Sequence, residues 1–289
     1  LPDVDVLDAL DCDVITVGTD RYTNAFEEPE RWFEYDFNGR LPALVMNPES
    51  FENMPDGSIQ QNKTSRMVPG AYVFDAPHAG QEFDMSADLP YEDLDEMRVK
   101  LAASLISDEA VDSIAAYCRR IRNSTDRAIM FTGLRAGIGY PYGIPSWSMM
   151  CISDPDYVKR VHEIVIDHAT AGFSKLLPAL NDSVDIFMLN ADDQGLQTGT
   201  ILPPDLFREL YTPYYRRAND ASKAAAPNIK TFLHCCGAVY DILDGIIDSG
   251  FDILNPVQWS AGSQTYKQWK DKARGRICLW GGGVNAQST

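Results

Sequence analysis

Residues 229–237 read IKTFLHCCG, an apolar run that closes on His234, Cys235, Cys236 and Gly237. The run has the length and β-branched or aromatic content of a buried strand. Successive strand side chains point to opposite faces, so His234 and Cys236 share one face and Cys235 takes the other. Alternate residues lie roughly 6.5–7 Å apart along a strand, close enough for an imidazole and a thiolate to converge on one ion. Gly237 ends the run and lets the chain turn. Two ligands do not by themselves make a zinc site; in a parallel α/β sheet a pocket for one is built at the carboxyl ends of the strands.

The rest of the chain supplies that sheet. Short apolar runs recur at residues 13–18 (DVITVG), 127–133 (RAIMFTG), 183–189 (SVDIFML), 251–258 (FDILNPVQ) and 277–280 (ICLW). Between them lie segments with apolar residues at three- and four-residue spacing. These are 4–11, 93–106, 107–123, 154–177, 202–227 (interrupted by Pro213), 239–249 and 266–272. The later strands each run into a polar, Gly-rich or aromatic loop, and residues 134–147 (LRAGIGYPYGIPSW) read as a long one. Strand–helix alternation specifies parallel βαβ units. With 289 residues, the expectation is one α/β domain over 1–289, a (β/α)8 TIM barrel, since such barrels run to about 250 residues. A doubly wound sheet is the competitor, but no GxGxxG follows the first strand. Residues 32–90 depart from this rhythm. Their Asn-Pro, Pro-Asp-Gly and Pro-Gly turns predict an inserted β-hairpin or meander. His78, in a turn-rich part of that insertion, reads as a solvated loop residue.

Composition excludes several classes. Apolar residues make up 45% and charged residues 23%, ordinary for a globular protein with a core. A formal charge of −17 leaves no basic stripe for nucleic acid. No apolar run approaches the roughly 18 residues of a membrane span. The 6 cysteines form no short-spaced disulfide framework, which points to a reducing cytoplasm. The chain opens on Leu1 and closes on Thr289 soon after a strand-like run, so a fragment with terminal pieces of the barrel missing is the expectation.

Three motifs together resemble the uroporphyrinogen decarboxylase superfamily: NADDQGLQTGTILPPDLFRELYTPYYRR at 190–217, LHCCGAVYDILDGIIDSGFDILNPVQ at 233–258 and WGGGVNAQ at 280–287. The resemblance covers 128–289 and extends more loosely back to Leu7. It implies a (β/α)8 barrel and one of two activities. One branch is a cofactor-free porphyrinogen decarboxylase; the other comprises zinc-dependent methyltransferases that work with corrinoids. His234-Cys235-Cys236 matches the methyltransferase branch, which uses such a pair as zinc ligands. The arginine-bearing N-terminal segment of the decarboxylases is absent. The resemblance therefore implies Zn2+, a corrinoid such as methylcobalamin as co-substrate, a corrinoid protein as transient partner and a small-molecule methyl acceptor such as a thiol. It also implies a third zinc ligand, Cys or His, from a loop beyond Thr289; Cys278 reads instead as a buried core thiol. A homodimer is left open.

On this reading His234 and Cys236 are the metal ligands. Asp192 and Asp193 are either a turn-forming pair or acid/base groups, and Asp193 faces the pocket if Met188, Asn190 and Asp192 pack on the other face. Gln197, Asn255, Gln258, Trp280, Asn285 and Gln287 are candidate substrate contacts. Tyr140, Tyr142 and Trp147 would floor or cover the site. A metal-free carboxy-lyase and a non-catalytic corrinoid-binding barrel are the rivals.

Overall fold

The computed structural model describes residues 4–18, 29–62, 65–75 and 89–283. His78, Asn285 and Gln287 lie outside the described residues. The chain divides into two compact units, one of Leu1–Val4 with Tyr22–Ala87 and one of Asp5–Arg21 with Asp88–Thr289.

The described chain begins with α1 (Val4–Ala9), in the larger unit from Asp5 on, and β1 (Val14–Val17). The smaller unit holds a hairpin of β2 (Phe33–Asp36) and β3 (Pro42–Val45), then a meander of β4 (Phe51–Asn53), β5 (Ile59–Gln61) and β6 (Ser65–Met67). Phe37, Ile59 and Met67 form its core, with Tyr35, Phe51 and Phe74 packed on them.

The larger unit resumes with α2 (Leu94–Ala103), α3 (Asp108–Arg122), β7 (Ala128–Phe131), α4 (Ile144–Ser153), α5 (Pro155–Leu180) and β8 (Ile186–Ala191). It continues through α6 (Pro204–Leu210), α7 (Thr212–Ala225), β9 (Lys230–His234), α8 (Leu243–Asp248), β10 (Ile253–Asn255), α9 (Tyr266–Ala273) and β11 (Cys278–Leu279). The expected strands form a six-stranded sheet in the order β1-β7-β8-β9-β10-β11, with every neighbouring pair parallel. Sequential parallel order with helical crossovers is the architecture of a (β/α)8-type sheet.

Local chemistry explains most boundaries. Ser107 caps α3 by accepting the Ala110 amide, and Thr265 and Gln268 form a reciprocal capping box on α9. The expected helix over 202–227 splits at Tyr211, because Pro213 cannot donate within a helix and sits instead in the first turn of α7. The stretch 134–147, read as a loop, carries the start of α4, where Pro145 again occupies a first-turn position.

Both sheet faces are apolar, as parallel sheets require. Met130, Ile186, Phe232 and Ile253 form one face with Val14, Met188 and Trp280 packed on them. Phe131 and Phe187 occupy the other, where Phe173 of α5 meets the Phe187 ring edge-on at 5.1 Å. Among the described residues no helix is long and apolar enough to cross a membrane.

Candidate metal centre

His234, the last residue of β9, follows Phe232 by two and so lies on the face of the Met130–Phe232 cluster, half-buried. Asn255 ends β10 and pairs with His234 in register. Cys235, on the other parity, is fully buried, its sulfur accepting the Gln194 amide at 3.4 Å.

β8 does not keep strand parity to its end. Its pairing with β9 shifts between Met188 and Asn190, so that Asn190 lies opposite Leu233 and Ala191 opposite His234. A bulge adds a residue to one strand and re-aims the side chains beyond it. Met188 packs with the inner cluster, whereas Asn190 and Asp192 are buried, Asn190 donating to Ile138 O and to the Tyr215 hydroxyl of α7. The assumption that Met188, Asn190 and Asp192 share a face therefore fails at Met188, and the bulge is the reason.

Asn190, Asp192 and Gln194 form a buried polar network. The Asn190 amide donates to Ile138 O at 2.7 Å and to Asp192 Oδ1 at 2.9 Å, and Gln194 Nε2 donates to Asp192 Oδ2. Tyr140 donates to Gln194 Oε1 at 2.8 Å. Burial pushes the Asp192 carboxyl up to about 6, against the lowering effect of hydrogen bonds from Tyr215, Gln194 and Asn190. The same cause drives the Tyr140 phenol far above its ordinary value. Asp192 and Tyr140 thus brace the loop from behind.

Asp193 is left exposed on the loop's front, its Oδ1 accepting the Cys236 amide at 2.9 Å. Its carboxylate, His234 and Cys236 each offer one ligand atom, all within 4.8 Å of one another. Cys236 Sγ lies 3.3 Å from His234 Nε2. Two glycines make this convergence feasible. Gly237 has φ +89°, and a Cβ built there would overlap Gly195 O and C and lie 2.7 Å from Gly195 Cα. A Cβ on Gly195 would lie 2.6 Å from Ala238 N. Only hydrogen fits between these backbones, and their contact brings the Asp193 loop against the Cys236 turn.

The tautomer of His234 follows from its neighbour. Asn255 Nδ2 donates to Trp280 O at 3.1 Å, which orients the amide and turns Oδ1 toward His234 Nδ1 at 2.9 Å. Nδ1 therefore carries the proton, and Nε2 presents a lone pair toward Cys236 and Asp193. This is the outer-shell arrangement that orients ligating histidines. Burial, then the charge of Asp193 and its hydrogen bond with the thiol, push Cys236 up to about 12. A divalent cation among the three donors would reverse that balance and favour thiolate. One nitrogen, one sulfur and one carboxylate oxygen suit zinc and leave a fourth tetrahedral position for another group.

The other expected residues divide. Gln258 accepts the Gly237 amide through Oε1 and so supports the turn. Trp280 lies beside the site, edge-on to Phe232 at 5.5 Å. Gln197 is exposed, its backbone carbonyl accepting from Gly262 at 2.8 Å. Tyr142 pairs with the Tyr157 hydroxyl at 3.3 Å, away from the donors. Trp147 is fully buried, its indole donating to Tyr211 at 2.9 Å, so it is core rather than a cover. Cys278 is exposed, not buried: among the described residues β11 has no strand on its far side. Residue spacing does not single out Gly195, Gln194 or the pairing of Asn255 with His234. The glycines of DDQG and HCCG were the available signal for the close approach.

Potential metal ligands and polar groups gathered at the carboxyl ends of a parallel sheet are the layout of a barrel enzyme. Residues 94–282 match the family model described as Uroporphyrinogen decarboxylase (URO-D), more than half of the chain. The chain belongs to that family. No curated protein shows significant similarity to the sequence. Among solved structures it is similar to endo-glycoceramidase II from Rhodococcus sp. in a cellobiose-like imidazole complex. The identity there is 14% and the TM-score 0.29, over 56% of this chain and 42% of that one. The lactosyl-enzyme intermediate of the same protein matches at 14% identity and TM-score 0.29, over 62% of this chain and 46% of that one. The chain spans less than half the length of these structures.

Proposed function

We propose that this chain is a zinc-dependent methyltransferase of the uroporphyrinogen decarboxylase family. It moves a methyl group between a corrinoid, carried by a partner protein, and a small acceptor such as a thiol. The observation that carries the reading is the convergence of His234, Cys236 and Asp193 within 4.8 Å. Zinc bound there supplies the Lewis acidity that holds a thiol acceptor as thiolate at neutral pH. His234 contributes Nε2 because Asn255 holds the proton on Nδ1. Asp193 contributes a carboxylate whose position is set by the Cys236 amide and by the glycine contact behind it. Asp193 offers a third donor within the described residues, alongside the expected Cys or His beyond Thr289. The net charge of −17 disfavours a polyanionic porphyrinogen.

Metal analysis tests the reading. The purified protein should hold about one zinc per chain, and His234→Ala, Cys236→Ala and Asp193→Ala should each lose it. The wild type should move methyl from methylcobalamin to a thiol. A zinc-free protein that keeps full activity after His234→Ala overturns the proposal. The family match by itself favours a second reading, a metal-free carboxy-lyase. Decarboxylation of a porphyrinogen after chelation would establish it.

A further inference from the structure

We propose that the larger unit carries a second binding site, for a small organic anion with an apolar body, in a cavity behind β7. The cavity has a volume of about 480 Å³ and lies among the α2–α3 link, α3, the segment after β7 and the middle of α5. That volume is in the range of small-molecule sites. Leu105, Ile114, Leu134 and Phe173 supply apolar walls, and Arg135 and His168 line the same space.

Arg135 and His168 are the two basic side chains among the residues that line the cavity. The chain has 42 acidic residues against 25 Lys and Arg, so carboxylate partners are plentiful. Several basic residues on the surrounding elements have taken them, although Arg119 of α3 and Arg160 of α5 make no ion pair among the described residues. Arg122 pairs with Asp185, Arg127 with Asp8, and Lys175 with Asp108 at 2.8 Å. Arg135, at the exposed mouth of the cavity, makes neither an ion pair nor a side-chain hydrogen bond among the described residues, and the half-buried His168 likewise has no polar partner there. A guanidinium presents a planar fork of donors that matches a carboxylate or a phosphate ester. An imidazole adds an N–H donor in either neutral tautomer. The shared chemistry is therefore an oxyanion head on the Arg135–His168 side and an apolar body against Leu134 and Phe173. None of the lining residues belongs to the metal centre, so this site is independent of the methyltransferase reading.

The experiment uses the full chain with hexanoate, hexyl phosphate and hexanol, monitored by calorimetry and by amide shifts of Gly133 and Gly172. One or both anions should bind, the tighter identifying the head group, and hexanol should bind roughly tenfold or more weakly. Arg135→Leu should abolish the preference for anions while zinc content and thermal stability stay unchanged. Gly172→Leu provides a second variant: a Cβ there meets only Leu134, at 3.8 Å, so the larger side chain fills the cavity and should remove binding of all three probes. Equal binding of hexanol and the anions, unchanged anion affinity in Arg135→Leu, or no binding by the wild type would overturn the proposal.

Discussion

Replacing Gly237 by alanine probes the contact on which the candidate metal centre is built. Its geometry imposes two costs. At φ +89° an L-residue is strained by about 1–2 kcal/mol. The added Cβ also overlaps the Gly195 backbone, which lies 2.7 Å away at Cα, and overpacking of this kind costs about 1–3 kcal/mol. Together they amount to about 2–5 kcal/mol, or a fall in melting temperature on the order of 10 °C for a unit of this size. The loops must separate by roughly 1 Å to restore ordinary contact. Asp193 then withdraws from His234 and Cys236, and zinc affinity should drop at least about tenfold. Gly275→Ala is the control: it has φ +69° with nothing within 4 Å of its Cβ, so it incurs only the conformational strain and leaves zinc binding intact. Calorimetric unfolding and competition with a chromophoric chelator read the two effects. A Gly237→Ala protein that melts with the wild type and binds zinc as tightly would refute the reasoning.

Other outcomes rest on the same geometry. Asn255→Leu removes the acceptor for His234 Nδ1 and should cost about 10- to 100-fold in zinc affinity. Asn255→Asp keeps an acceptor and should retain most of it, and nitrogen NMR of the imidazole should show the Nδ1–H tautomer lost only in the leucine variant. Asp192 gives a pH signal in the metal-free protein. Its folded-state value of about 6 exceeds the ordinary 3.8, so the folded state holds the proton more tightly than the unfolded chain. Stability from this group is full at low pH and declines as pH rises from about 4 to 6, by on the order of 3 kcal/mol. Asp192→Asn should flatten that decline in urea titrations; an unchanged slope would assign the dependence elsewhere. Phe187→Ala, deleting a fully buried ring between Phe131 and Phe173, should cost about 3–5 kcal/mol by chemical denaturation.

Much of the architecture is legible in the linear chain because it depends on local periodicity. Six apolar runs separated by helical patterns become six parallel strands, and Pro213 breaks its helix as its missing N–H dictates. Strand parity separates Cys235, buried, from Cys236, half-buried and facing His234. Parity also misleads where the backbone departs from ideal pairing. The bulge after Met188 resets which β8 side chains face inward, and bulges arise from pairing with a neighbour rather than from the strand's own residues.

By itself, then, the sequence determines that a parallel α/β sheet presents His234 and Cys236 at a strand's carboxyl end, since neighbours two apart share a face where the backbone stays extended. The tertiary structure alone decides that Asp193 joins them. That contact spans 43 residues and depends on two glycine backbones touching, on a bulge that buries Asp192 instead, and on Asn255 from the adjacent strand setting the imidazole proton. Each is a long-range register effect, with no counterpart in the spacing of residues along the chain.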